Sequence, residues 1–120
     1  MTEANQIRSV GVVGAGTMGS AIAQHFVMKE VPVVLVDIQP DALLRGVEGI
    51  RSSLQQAASK KVLSDAEVAA ALARLHPSSD FTSLQDVDLV IEAVFEDEAV
   101  KRNVLRQIEE AVRFDCIIGS

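Results

Sequence analysis

The 120 residues read as an α/β chain, a doubly wound parallel sheet with helices on both faces. Short apolar runs rich in valine and isoleucine, at residues 10–13, 31–36 and 87–94, alternate with segments whose apolar residues recur every three or four positions. The runs are nearly continuous instead of alternating, the pattern of strands covered on both faces. A hydrophobic content of 48% with only 3% aromatic residues builds the core from Val, Leu, Ile and Ala.

The first strand is expected over residues 7–13 and the first helix over residues 17–29. Between them stands Gly14-Ala15-Gly16-Thr17-Met18-Gly19. In such a strand, glycine turn and helix, Gly14 allows the tight turn, Gly16 lets backbone approach a pyrophosphate, and Gly19 lets the helix pack close to the strand. The phosphates would rest on N–H groups at the positive end of that helix. Ile22 and Phe26 share one face of the helix, with Met18 one turn earlier.

A second strand, residues 31–36, opens near Pro32, where a missing N–H is tolerable, and ends at Asp37. Asp37 lies 18 residues past Gly19, where the dinucleotide fingerprint places a carboxylate for a ribose 2′-hydroxyl. A carboxylate repels a 2′-phosphate, and Ile38, Gln39 and Pro40 bring no arginine, so NAD is expected over NADP.

Pro40 suits a first helical turn, and Leu43, Val47, Ile50, Leu54 and Ala57 or Ala58 carry a helix to about Lys61. Ser64 and Glu67 form a capping box, with Leu63 and Val68 as its hydrophobic staple. The helix it opens is expected over residues 65–75, burying Val68, Leu72 and Leu75. Residues 76–80 read as loop with room for a brief strand, because Pro77 disfavours helix at His76. A buried strand over residues 87–94 is then covered by a helix carrying Val100, Val104, Leu105, Ile108 and Val112. Residues 116–120 read as a further strand, and a buried strand so close to the terminus suggests part of a longer protein.

A formal charge of −6 argues against a nucleic-acid partner. Cys116 is the single cysteine, expected as a buried thiol, and no signal segment or apolar stretch of spanning length is present. The chain therefore reads as soluble and cytosolic or matrix-type, with no membrane partner. His25 and His76 lack neighbours that would make a nucleophile and base, and no ligand spacing for a metal occurs. Glu92 interrupts an apolar run near the carboxyl end of a strand, where ligands bind in this architecture. Glu96 lies past the strand end. Lys101 and Arg102 open the next helix, where a cation opposes the macrodipole and is helped by a nearby anion.

Together, the glycine turn with Ile22-Ala23-Gln24, Val34-Leu35-Val36-Asp37, Ser53-Leu54 with Lys60, and residues 88–96 (DLVIEAVFE) resemble the NAD-binding domain of L-3-hydroxyacyl-CoA dehydrogenases, in order and over essentially the whole chain. The resemblance implies a Rossmann-type domain and hydride transfer from a 3-hydroxyacyl-CoA to NAD. It implies that Met18 and Asp37 contact NAD with the glycine turn, that Val94, Phe95 and Glu96 line the nicotinamide side, and that Lys101 stands at the cofactor and substrate crevice. Ser53 and Lys60, seven apart and so on one helix face, match positions that touch coenzyme A. The family's catalytic histidine and its orienting glutamate follow an Asn-Thr-Ser segment beyond the point reached here, as does the helical domain that dimerises. The expectation is thus a truncated cofactor-binding domain without the helical C-terminal domain, part of a homodimeric enzyme, binding NAD(H) with negligible turnover by itself. A stand-alone NAD(H)-sensing module and a β-hydroxyacid dehydrogenase are the alternatives.

Overall fold

The structure is a computed structural model that describes residues 7–94 and 97–119. In chain order it contains β1 (Val10–Val13), α1 (Thr17–Met28), β2 (Val33–Val36), α2 (Pro40–Ser59), α3 (Asp65–Ala73), β3 (Leu75–Ser78), a 3-10 turn (Phe81–Leu84), β4 (Leu89–Glu92), α4 (Glu98–Ala111) and β5 (Ile117–Gly119). The strands form one sheet in the order β3-β2-β1-β4-β5. Every pairing is parallel.

The register sets Val13 beside both Val36 and Glu92, so β2, β1 and β4 end level with one another. The chain leaves β1 towards β2 on one side, and β4 lies on the other. Strand order reverses at β1, which opens a crevice at the carboxyl ends of the strands.

Side chains alternate between the two faces of the sheet along the central strands, as the two-residue period requires, and β1 is buried throughout. Val10, Val12, Val33 and Leu35 join one core with Ala23 and Val27 of α1, Ile50 and Leu54 of α2, and Val68 and Ala71 of α3. Val13, Val36 and Val90 join the opposite core with Leu84, Val104 and Ile108. Helices therefore cover both faces, as the nearly continuous apolar runs require.

Local chemistry explains the element ends. Ser64 and Glu67 make the capping box in full, with the Glu67 N–H donating to Ser64 Oγ at 3.0 Å and the Ser64 N–H to Glu67 Oε1 at 2.8 Å. Asp97 caps α4 by accepting the Val100 N–H at 3.0 Å. Both α1 and α2 close with paired reverse hydrogen bonds: Val31 N–H to Phe26 O at 3.0 Å and Glu30 N–H to Val27 O at 3.3 Å, then Val62 N–H to Ala57 O at 2.9 Å and Lys61 N–H to Ala58 O at 3.0 Å. The residues that turn the chain, Glu30 and Lys61, sit at φ 66° and 61° without being glycine.

The structure adjusts the sequence reading at several points, and both β2, which begins at Val33, and β4, which spans Leu89–Glu92, are shorter than the apolar runs that contain them. β1 starts at Val10, while Ile7 packs beside the first core outside the strand. α3 stops at Ala73, and Leu75 opens β3 instead of closing the helical stripe. The brief strand for which residues 76–80 left room is β3, which starts one residue earlier at Leu75; Pro77 is tolerated because β3 is an edge of the described sheet. Met18 does not extend the core face of α1 but stays exposed. Cys116 is half-buried just before β5, and that burial pushes its thiol pKa up.

Candidate functional site

The turn between β1 and α1 is built by close contact. Gly14 has φ 107°, and a Cβ there would stand 2.9 Å from the Ala93 carbonyl group. At Gly19 a Cβ would overlap the Gly14 carbonyl oxygen, so α1 lies directly against the turn. Gly16 differs from both, because a Cβ there would meet nothing within 4 Å. Its bare backbone faces open space at the start of α1.

α1 has no side-chain cap at Gly16 and no acidic residue in its first turn. Its first backbone hydrogen bond of helical type runs from Ser20 N–H to Gly16 O at 2.9 Å. The N–H groups of Thr17, Met18 and Gly19 thus form the donor end that a helix presents to an anion.

Asp37 stands where β2 ends. Its Oδ2 accepts the Ala15 N–H at 2.8 Å and its Oδ1 accepts the Gln39 N–H at 2.9 Å. A carboxylate has about four acceptor sites, so two remain for hydroxyl donors.

These parts border a cleft of about 880 Å³ at the carboxyl ends of the strands. Gly14, Gly16, Thr17, Met18, Asp37 and Val94 all line it, and Ile38, Gln39, Phe81, Ala93 and Val100 complete much of the wall. Met18 is 58% exposed and Ile38 57% exposed. Large apolar side chains held open beside a donor-rich turn fit a ligand with flat rings and a charged middle. Asp37 is the one titratable side chain among the described lining residues. His25 and His76 are exposed on α1 and β3 and are not in that wall.

Other expected site residues fall elsewhere. Ala15 and Gly19 lie behind the cleft wall, where they hold the turn in place. Lys101, in the first turn of α4, places Nζ 3.3 Å from Glu92 Oε1. Glu92 is 3% exposed, and its Oε2 accepts the Val94 N–H at 2.6 Å. Ser53 is exposed on α2 and accepts a hydrogen bond from Gln24 Nε2 at 2.9 Å. Gln24 in turn borders a second recess, about 460 Å³, between α1 and α2, with Ser20, Arg45 and Gly49. Lys60 is exposed and caps the end of α2, so the shared helix face expected for it and Ser53 stops one residue short. Phe95 and Glu96 lie outside the described residues. Among the described residues no cluster of three or more His, Cys, Asp and Glu is placed to hold a metal. No helix among them is long and apolar enough to cross a membrane.

Sequence reasoning missed Phe81 and Val100 as cleft residues. Phe81 follows the short strand β3, which periodicity could not establish, and Val100 was assigned wholly to the core stripe of α4. Ile38 and Gln39 were noticed only as residues that were not arginine. A parallel sheet ordered β3-β2-β1-β4-β5, with a glycine turn and an acid at its switch point, defines a Rossmann-type dinucleotide-binding domain. The residues fit NAD: the open backbone at Gly16 for the pyrophosphate, Asp37 for a ribose, and exposed apolar side chains for the rings.

Residues 9–120 match the family model described as 3-hydroxyacyl-CoA dehydrogenase, NAD binding domain. The chain belongs to that family. It is 33% identical over 114 residues to a peroxisomal fatty acid β-oxidation multifunctional protein of Arabidopsis thaliana, covering 95% of this chain and 16% of that protein. It is 36% identical over 114 residues to a 3-hydroxybutyryl-CoA dehydrogenase of Bradyrhizobium diazoefficiens, covering 95% of this chain and 39% of that one. Among solved structures, the (S)-3-hydroxybutyryl-CoA dehydrogenase of Ralstonia eutropha superposes with a TM-score of 0.90 at 42% identity, over 94% of this chain and 40% of that one. The chain thus spans less than half the length of each of these relatives.

Proposed function

We propose that the protein carrying these residues oxidises the 3-hydroxyl of a hydroxyacyl-CoA to the 3-oxo group, and that this chain is its cofactor-binding domain. The observation that carries the reading is the Asp37 carboxylate holding the Ala15 N–H at 2.8 Å, which joins the ribose-binding acid to the phosphate-binding turn in one cleft. NAD held there would supply the hydride acceptor for the carbinol C–H bond, and the hydroxyl proton would have to pass to a base. No described residue of the cleft wall is a histidine or lysine, and Asp37 is committed to the ribose, so in this reading the base comes from outside the described wall.

In this reading the N–H groups at the start of α1 bind the pyrophosphate, with Met18 beside it, and Asp37 takes the ribose hydroxyls of the adenosine half. Val94, with Phe95 and Glu96, lines the nicotinamide side, and Lys101 stands at the edge shared with substrate. Ser53 and Lys60 reach the coenzyme A portion, where an ammonium meets phosphate without the protein being basic overall. We further infer a homodimer, on the resemblance to the family, in a reducing cytoplasmic compartment, in keeping with the single cysteine.

Titration of NADH fluorescence tests the cofactor reading, with NADPH as the control. NADH is expected to bind at least about tenfold more tightly, because Asp37 repels a 2′-phosphate. Equal affinity for the two overturns the assignment of Asp37. Oxidation of 3-hydroxybutyryl-CoA by the full-length protein, set against free 3-hydroxybutyrate, tests the substrate class. Preference for the free acid overturns it.

A further inference from the structure

Glu92 has no role in the reading above, yet its environment is the most unusual of any acid among the described residues. It ends β4 beside Val13 of β1, next to the glycine turn. Its side chain is 1% exposed. A carboxylate withdrawn from water so completely is retained only where charged or polar partners compensate its lost hydration. Its two oxygens have separate partners, the Val94 N–H at 2.6 Å on Oε2 and the Lys101 ammonium at 3.3 Å on Oε1.

Those partners bracket the crossover from β4 to α4. Val94 is in the cleft wall, and Lys101 is the fourth residue of α4. The carboxylate therefore ties both ends of residues 93–101 to the central sheet. It also supplies the anion that a lysine in the first turn of a helix needs against the macrodipole. The Lys101 side chain is 36% exposed and an ammonium has three donors, so the pair leaves donors of Lys101 open to solvent, one residue after Val100 of the cleft wall.

We propose that Glu92 is a positioning residue for the nicotinamide half of the cofactor, acting through Lys101 and the Val94 backbone. The inference rests on the NAD-binding reading. It predicts that Glu92 sets affinity for the nicotinamide half without affecting the adenosine half, which Asp37 and the glycine turn hold on the other side of β1.

The test compares NADH with ADP as probes of the full chain, in wild type, Glu92→Gln, Lys101→Met and the double variant. Glutamine keeps an acceptor for the Val94 N–H but presents no negative charge to Lys101. Glu92→Gln is expected to weaken NADH about tenfold, the scale of one charge-assisted hydrogen bond, and to leave ADP within about twofold. On the Lys101→Met background the same change is expected to add less than about twofold, because its route of action is already gone. Glu92→Asp, with the charge kept and the reach shortened, gives the same selective loss in smaller form and replaces the glutamine variant if that one does not fold. Equal losses of NADH and ADP, no loss of either, full multiplication of effects in the double variant, or failure of both Glu92 variants to fold each overturn the proposal. A wild-type chain that binds neither probe instead overturns the cofactor reading itself.

Discussion

Asp37 at the end of β2 holds the Ala15 N–H of the glycine turn at 2.8 Å, across 22 residues of sequence. The same carboxylate takes the Gln39 N–H at 2.9 Å and so also shapes the start of α2. One acid thus fixes the turn on which a pyrophosphate would rest while keeping acceptor capacity for a ribose.

Asp37→Ala should therefore have two effects of different size. Loss of the ribose contact should weaken NADH by about thirtyfold or more, on the scale of hydrogen bonds to a charged acceptor. The slackened turn should weaken NADPH too, but by less than about tenfold, since that cofactor gains from losing the repulsive charge. Fluorescence titration with both reduced cofactors reads the difference, and equal losses would mean that Asp37 serves the turn alone.

The two turn glycines separate stability from binding. Gly19→Ala drives a methyl group into the Gly14 carbonyl and should cost about 3 kcal/mol or more of folding stability. Gly16→Ala meets open space, so its melting temperature should stay close to wild type. Its NADH affinity should still fall about tenfold or more, because the methyl group occupies the approach of the pyrophosphate. Thermal melts and NADH titration on both variants check the contrast.

At the opposite end of the sheet, Asp88 joins Arg113 Nη2 at 2.6 Å and accepts the Arg8 and Ser9 N–H groups at 2.8 and 3.2 Å. The Arg113 hydrogen bond, with these N–H groups, holds the Asp88 carboxyl below the usual carboxylate range. A carboxyl depressed in the folded state contributes stability that is fully present above its unfolded pKa, about 4, and is lost as pH falls through the lower folded value. Asp88→Asn should lower the melting temperature by a few degrees at pH 7, and the gap from wild type should narrow progressively below about pH 4. A gap independent of pH would show that shape, not charge, matters there.

Glu30 and Lys61 occupy left-handed positions that suit glycine. Lys61→Gly should raise stability by up to about 1 kcal/mol, the relief of backbone strain exceeding the added chain entropy. A chemical denaturation curve measures it; a lower midpoint with unchanged slope would contradict it.

Much of this was legible from local pattern. The glycine turn, Asp37, the capping box at Ser64 and the buried runs each depend on neighbours within one turn or one strand, so spacing alone defined them. Phe81, Val100 and the short strand at Leu75 were not legible in the same way. Phe81 and Val100 reach the cleft only because the sheet order brings β2, β1 and β4 to one edge, and β3 exists because β2 offers it a pairing edge.

The sequence by itself determined the strand, glycine turn and helix around residues 14–19 and the acid at the end of the second strand, because glycine stereochemistry and strand-helix alternation leave few other conformations for them. It also marked Glu92 as out of place and Lys101 as wanting an anion, nine residues apart. Only the tertiary structure decided that these two needs answer each other. The ion pair depends on how the crossover folds back onto the end of β4, a geometry set by packing across the sheet and not by spacing along the chain.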